Sequence, residues 1–221
     1  MKTAIMQPYI FPYFGYYQMV AAVDKFIFLD DVNFTKKSFM SRNKVGNEKE
    51  IVFSVPLKRP SQNVKILNTL LSETYDIWKS KFLTTLECEY RKYPNYSEVV
   101  DLIKQILKKD HTTLSDLSCE SVKQISRFLG IQTDFLYSSD IAVSGTFDLK
   151  LINTCKKVGA QHYINSIGGM ELYDKDKFLA HDIKLEFIES KECYGYMSII
   201  DVLMKNDINL VRSKLCEVEF V

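Results

Sequence analysis

Residues 1–31 read MKTAIMQPYIFPYFGYYQMVAAVDKFIFLDD, and the way this stretch folds decides the architecture. Thr3-Ala-Ile-Met-Gln7 is an apolar run halted at Pro8, which predicts a short strand buried on both faces. Gln7 to Gln18 then packs six aromatic residues and two prolines into twelve positions. Past Gly15, the positions of Tyr16, Met19, Val20 and Val23 repeat with helical spacing, so a helix is expected there. Asp24-Lys25 breaks it, and Lys25-Phe-Ile-Phe-Leu-Asp30 reads as a second buried strand. Strand, loop, helix and strand make a βαβ unit, which requires parallel pairing.

Working outward, a polar and basic stretch runs from Asn33 to Asn47, with no strand or helix read in it. Glu50 to Leu57 reads as a third strand. Tyr75–Tyr90, Ser97–Lys108 and His111–Leu129 carry helical patterns, the last with Thr112, Thr113 or Ser115 as possible caps and Gly130 as its stop. Thr133–Tyr137, Gln161–Asn165 and Lys184–Ile188 read as strands, and Asp148–Val158 as a helix. This alternation predicts an α/β fold with a Rossmann-like parallel sheet core. It is expected to be a single α/β domain over residues 1–221, with a helical insertion at about 72–130.

Composition narrows the function classes. The 221 residues carry 29 basic and 28 acidic side chains, a net charge of +1, so no global field draws nucleic acid or an anionic membrane. No apolar run approaches the roughly 18 residues a membrane helix needs, and the N-terminal run is too short for a signal peptide. The five cysteines, Cys88, Cys119, Cys155, Cys193 and Cys216, are odd in number and lack CxxC spacing, as expected of reduced thiols in a cytoplasmic protein. His111, His162 and His181 lie far apart, so the spacing supports no metal site.

Four stretches have compositions suited to chemistry. Gln7 to Gly15 follows the first strand and opens a helix, where ligands of open parallel sheets bind and where free N–H groups favour phosphate or carboxylate. Gln7, Pro8, Tyr9, Tyr13, Gly15 and Tyr16 are the binding candidates, with Tyr13 also a catalytic candidate; Phe11, Phe14 and Tyr17 are expected to pack. The second stretch ends the second strand with Asp30 and Asp31, either of which a raised pKa would suit to act as a base. Lys36, Lys37, Arg42 and Asn43 follow, with Lys36 a further catalytic candidate beside Tyr13, Asp30 and Asp31 and the others phosphate or carboxylate ligands. The third, Tyr163-Ile-Asn-Ser-Ile-Gly-Gly169, offers Asn165, Gly168 and Gly169 as a phosphate cradle. In the fourth, Ser198 and Asp201 are spaced as a capping box and are expected to be structural.

The order Tyr13-Phe14-Gly15-Tyr16 resembles the His-x-Gly-His block of nucleotidylyltransferases, pantothenate synthetases and class I synthetases. There too the block follows the first strand and starts the first helix. The resemblance implies fold more than adenylyl transfer, because both histidines are tyrosines here. It leaves ATP as a possible cofactor.

Taken together, the blocks Gln7-Pro-Tyr-Ile-Phe-Pro-Tyr-Phe-Gly-Tyr-Tyr-Gln18, Asp24-Lys-Phe-Ile-Phe-Leu-Asp-Asp-Val32, Ser41-Arg-Asn-Lys-Val45 and Ser54-Val-Pro-Leu57 resemble the WbqC-like protein family. Tyr163, Gly168-Gly169, Tyr173 and Ser198-Ile-Ile-Asp-Val-Leu203 extend the likeness over nearly the whole chain. Phe39-Met40 departs from the family, which often has Trp ahead of Ser-Arg-Asn. The resemblance implies a biosynthetic transferase of bacterial surface polysaccharide such as O-antigen. Its expected reaction joins glycine, or a similar small amino acid, through an amide to a dTDP- or UDP-linked amino sugar. A non-catalytic nucleotide-sugar binding or scaffold protein, or a nucleotidylyltransferase, is the alternative.

Overall fold

The computed structural model describes residues 1–59, 63–191 and 194–221. Its frame is a six-stranded sheet in the order β5-β2-β1-β6-β7-β8. These strands are β1 Lys2–Met6, β2 Lys25–Phe28, β5 Asp134–Tyr137, β6 His162–Ser166, β7 Lys184–Ser190 and β8 Val218–Phe220. All neighbours pair in parallel except β8, which runs antiparallel along β7. The chain builds outward from β1 to β2 and β5, then returns to the other side of β1 with β6. The order therefore reverses between β1 and β6, and in open α/β sheets ligands sit outside the carboxyl ends at such a point.

Helix α1 (Phe14–Ala21) connects β1 to β2, as the first 31 residues predict. It buries Phe14, Tyr16, Tyr17, Gln18, Met19 and Val20, nearly its whole circumference. A helix apolar all round must be covered on every side. Helices α2 (Tyr75–Tyr90), α3 (Tyr96–Lys108) and α4 (Leu114–Phe128) occupy the segment at 72–130. Phe82, Leu86, Ile103, Leu117 and Val122 of those helices share one core with Tyr16, Phe26 and Phe28. Thr113 caps α4 in a reciprocal box with Asp116, and Gly130 follows it with φ +81°.

Strand residues alternate between the two faces, as the period of two requires. Ala4, Phe26 and Phe28 face α1 and the helical segment, while Ile5, Ile27 and Leu29 face the other way. That second face is covered by α6 (Phe147–Lys157) and α7 (Lys175–Leu179), through Leu151, Ile152 and Phe178. Short helix α5 (Ser138–Ile141) follows β5, and α8 (Ile199–Lys205) and α9 (Ile208–Ser213) precede β8.

Two expectations need correction. The stretch Asn33–Asn47 contains a strand, β3 (Arg42–Val45), and β4 (Ile51–Ser54) pairs antiparallel with it in a separate two-stranded ribbon, not in the main sheet. Only Asn43 and Val45 of β3 are buried, so its alternation is too short and too polar to stand out from a loop. Ser198 does accept from Ile200 N–H at the start of α8, but Asp201 does not complete a box. Its carboxylate instead takes the Tyr90 hydroxyl at 2.5 Å and the Lys205 ammonium at 2.8 Å. Tyr90 also accepts the Gly46 N–H at 2.6 Å, tying α2, the ribbon and α8 together. Buried Cys119 and Cys155 are packing residues: burial pushes the Cys155 thiol up to about 12 and Cys119 also upward. Cys193 lies outside the described residues.

Candidate functional site

Parallel register aligns the carboxyl ends of the strands. Phe28 pairs with Tyr137 on one side and Met6 on the other, and Ser166 pairs with Ile188. One residue further on, Leu29 N–H donates to the Met6 carbonyl, so Gln7 leaves the sheet beside Asp30. The loop from Gln7 to Tyr13 thus rises at the centre of the sheet's carboxyl edge.

This loop is held rigidly from below. Phe11 is fully buried with φ +43°, a left-handed conformation that costs an L residue about 1–2 kcal/mol. Its carbonyl accepts from Asn43 Nδ2 at 2.7 Å and Ser198 Oγ at 2.9 Å, and its N–H donates to Ser121 Oγ at 3.3 Å. Ile199 N–H donates to the Pro12 carbonyl, and the Tyr16 hydroxyl donates back to the Gln7 carbonyl at 3.0 Å. Tyr9 is half-buried, its hydroxyl donating to Gln7 Oε1 at 3.3 Å and its ring 5.9 Å from that of Tyr16; Pro8 is buried.

A cleft of about 570 Å3 opens beside the loop, above the ends of β6 and β7 and the start of α1. Tyr13, Gly15, Gln18, Gly168, Glu189, Ser190 and Tyr196 are among its lining residues. The Tyr13 and Tyr196 rings lie 5.5 Å apart at 56°, and Tyr196 is 75% exposed at the mouth. Phe14 meets the edge of Tyr194 at 5.0 Å. Burial, followed by the neighbouring Tyr196 and Tyr9, pushes the Tyr13 hydroxyl above its ordinary pKa. A Cβ on Gly15 would stand 2.6 Å from Tyr13 Cε2 and 3.5 Å from Ser190 Cβ, so glycine lets the ring lie flat over the helix start.

The sequence candidates distribute unevenly around this cleft. Tyr13, Gly15 and Gly168 line it. Tyr16 is buried at 1% exposure, and burial holds its hydroxyl well above the usual range. Asn43 is likewise buried, with its amide spent on the loop backbone. Asn165 turns its amide to the Tyr163 hydroxyl at 3.3 Å and its carbonyl to Ser166 N–H at 2.8 Å. Gly169 is buried under Tyr173, whose Cε2 a Cβ would meet at 3.2 Å. Lys36 and Lys37 are exposed; Arg42 is half-buried on β3.

Asp30 and Asp31 form a second centre at the end of β2. Asp30 accepts from Ser139 N–H at 3.0 Å and Ser139 Oγ at 2.7 Å, and its Oδ1 shares the single Ser138 proton with Asp31, lying 3.0 Å from Ser138 Oγ. Asp31 accepts from Ser138 Oγ at 2.5 Å and pairs with Lys150 at 2.6 Å. The expected raised pKa is corrected for Asp31: burial pushes it up, but hydrogen bonds from Lys150 and Ser138 and the charges of Lys150 and Lys65 bring it below 3.8. A carboxylate whose pKa is lowered is a weak proton acceptor. Its stabilisation is complete above the unfolded aspartate pKa of about 3.9 and is lost as pH falls through the lower folded value. Urea titrations from pH 6 to pH 2 should show a larger acid loss in the wild type than in Asp31→Asn. Parallel pH curves would remove the ion pair's role.

Sequence reasoning missed Gln18, Glu189, Ser190, Tyr194 and Tyr196 at the cleft, and Ser138, Ser139 and Lys150 at the Asp30–Asp31 centre. A signal for the first group exists. Tyr194-Gly-Tyr196 follows the last parallel strand, repeating the aromatic–glycine pattern that follows β1.

A family model described as the WbqC-like protein family matches residues 7–213. A curated relative, "Uncharacterized protein Rv1507c" of Mycobacterium tuberculosis, is 28% identical over 215 residues, covering 91% of this chain and 92% of its own length. No solved structure matches the chain significantly.

Proposed function

We propose a function from a plain premise: the chain belongs to the WbqC-like protein family. The reading is a cytoplasmic biosynthetic transferase of bacterial surface polysaccharide. It joins glycine, or a similar small amino acid, through an amide to a dTDP- or UDP-linked amino sugar. The observation that carries it is the tyrosine-lined cleft at the point where the strand order reverses, with a volume of about 570 Å3. Cofactor and substrate clefts run to about 300–1,000 Å3 and favour this position.

The roles follow from placement. The Tyr13 and Tyr196 rings offer faces to a sugar or a base. Arg42 sits on the ribbon whose Lys44 carbonyl accepts Ser198 N–H, and Ser198 in turn bridges to Tyr13. With the exposed Lys36 and Lys37, it supplies the positive charge for a diphosphate. Asp30 and Asp31 hold Ser138, Ser139 and Lys150 in place and are positioning residues. In the reaction the amine nitrogen bonds to the acyl carbon, the activating group leaves with the bonding pair, and the amine proton passes to a base.

Mass spectrometry of dTDP- and UDP-amino sugars incubated with glycine, with and without ATP, tests the reading. A product heavier by one glycyl residue is expected. A second reading, nucleotide-sugar binding without chemistry, is favoured by the cleft's lining, which among the described residues includes no histidine, cysteine or lysine to move a proton. Binding of the nucleotide sugar with no product from glycine, under either condition, would establish that second reading instead.

A further inference from the structure

The polarity of the cleft is fixed by a buried amide. Gln18 has no exposed surface. Its Nε2 donates to the Lys214 carbonyl at 2.9 Å and the Glu217 carbonyl at 3.1 Å. Carbonyls only accept, so the nitrogen end of the amide must lie there. Oε1 is thereby turned to Ser190, and because Oε1 also only accepts, the Ser190 hydroxyl must spend its one proton on it. Ser190, on the cleft wall, is left with lone pairs alone to offer a ligand.

The surroundings carry the same sign. Among the described lining residues there is no lysine or arginine, and the one charged residue, Glu189, lies on the face of β7 that carries Phe187, opposite Ile188 and Ser190. Tyrosine faces at Tyr13 and Tyr196 add negative π density. Lys191, the next residue past Ser190, is paired with Glu219. The start of α1 has the opposite sign, but it amounts to about half a positive charge. A hydroxyl that can only accept and aromatic faces suit a cation that donates hydrogen bonds, and they offer phosphate or carboxylate groups no side-chain donor.

We propose that this cleft is a subsite for a primary ammonium group, with Ser190 Oγ as its acceptor and Gln18 as the positioning residue that sets the hydroxyl's direction. The anionic part of any substrate then lies outside, toward Arg42. The inference rests on the transferase reading only for the source of the amine, the small amino acid or the amino sugar.

Saturation-transfer NMR on the full chain tests it with glycinamide and glucosamine as amine probes and acetamide and acetate as controls, and 31P line broadening reads inorganic phosphate as a third control. One or both amines should bind, and which one binds identifies the source; the controls should not. Ser190→Ala should weaken amine binding at least about fivefold; it also leaves the buried Gln18 Oε1 unpaired, so the melting temperature should fall by a few degrees while the protein stays folded at the temperature of the titration. Gln18→Met frees the Ser190 proton, so the preference for glycinamide over acetamide should narrow, a change that a merely structural role would not produce. Equal amine affinity in wild type and Ser190→Ala, no amine binding at all, or a preference for acetate or phosphate would overturn the proposal. Amine binding with no glycyl product from any sugar would leave the subsite standing and defeat the transferase reading alone.

Discussion

Asn43→Ala is expected to lower stability by about 3 kcal/mol, a fall of roughly 6–12 °C in melting temperature for a chain of this size. Asn43 is buried and its amide donates to the Phe11 carbonyl at 2.7 Å, while its Oδ1 accepts Lys44 N–H at 2.8 Å. Removal leaves that N–H unpaired, takes one of two donors from the Phe11 carbonyl and opens a small cavity. The strained conformation of Phe11 then has only Ser198 and Ser121 to hold it. The double variant Asn43→Ala/Ser198→Ala should lose more than the sum of the single losses, since only the pair of changes leaves the Phe11 carbonyl with no partner. Urea midpoints of the four proteins measure this. A single variant as stable as wild type, or strict additivity, would show that the loop does not depend on this pair.

Gly15→Ala is expected to separate binding from stability. In a helix, alanine is better than glycine by about 1 kcal/mol, so propensity alone favours the change. The new Cβ, however, falls 2.6 Å from Tyr13 Cε2, a distance that packed carbons do not tolerate. The tyrosine ring is half-buried beside the cleft and can swing aside more cheaply than the helix can move. It then leaves its place against Tyr196, and the aromatic wall opens. Melting temperature should move by no more than about 3 °C, whereas affinity for the amine probe that wild type binds should fall more than tenfold. Calorimetric melting and the same NMR titration read the two effects. Binding retained at wild-type strength would remove Tyr13 from the site.

The opening stretch is legible almost whole because its signals are local. Pro8 ends β1, Asp24-Lys25 separates α1 from β2, and both strands are apolar on both faces because both are covered. The ribbon was not legible, because a four-residue strand with two buried positions carries little periodicity. Tyr16 and Asn43 looked like ligands from their chemistry and turn out to serve the loop, a distinction that depends on which partner each polar atom meets across the fold.

Within the site the division is similar. The parallel α/β core, the loop at the end of its first strand, and Tyr13 and Gly15 as residues beside the helix start are all legible in the amino-acid order. Local propensity and burial patterns suffice for those, since each is decided within a few neighbouring residues. Tertiary structure alone decided that Gln18 aims the Ser190 hydroxyl 172 positions away, that Lys150 lowers the Asp31 pKa, and that the cleft holds no described cation. Hydrogen-bond direction and charge at a site are sums over partners from distant segments, and only the folded chain fixes which partners those are.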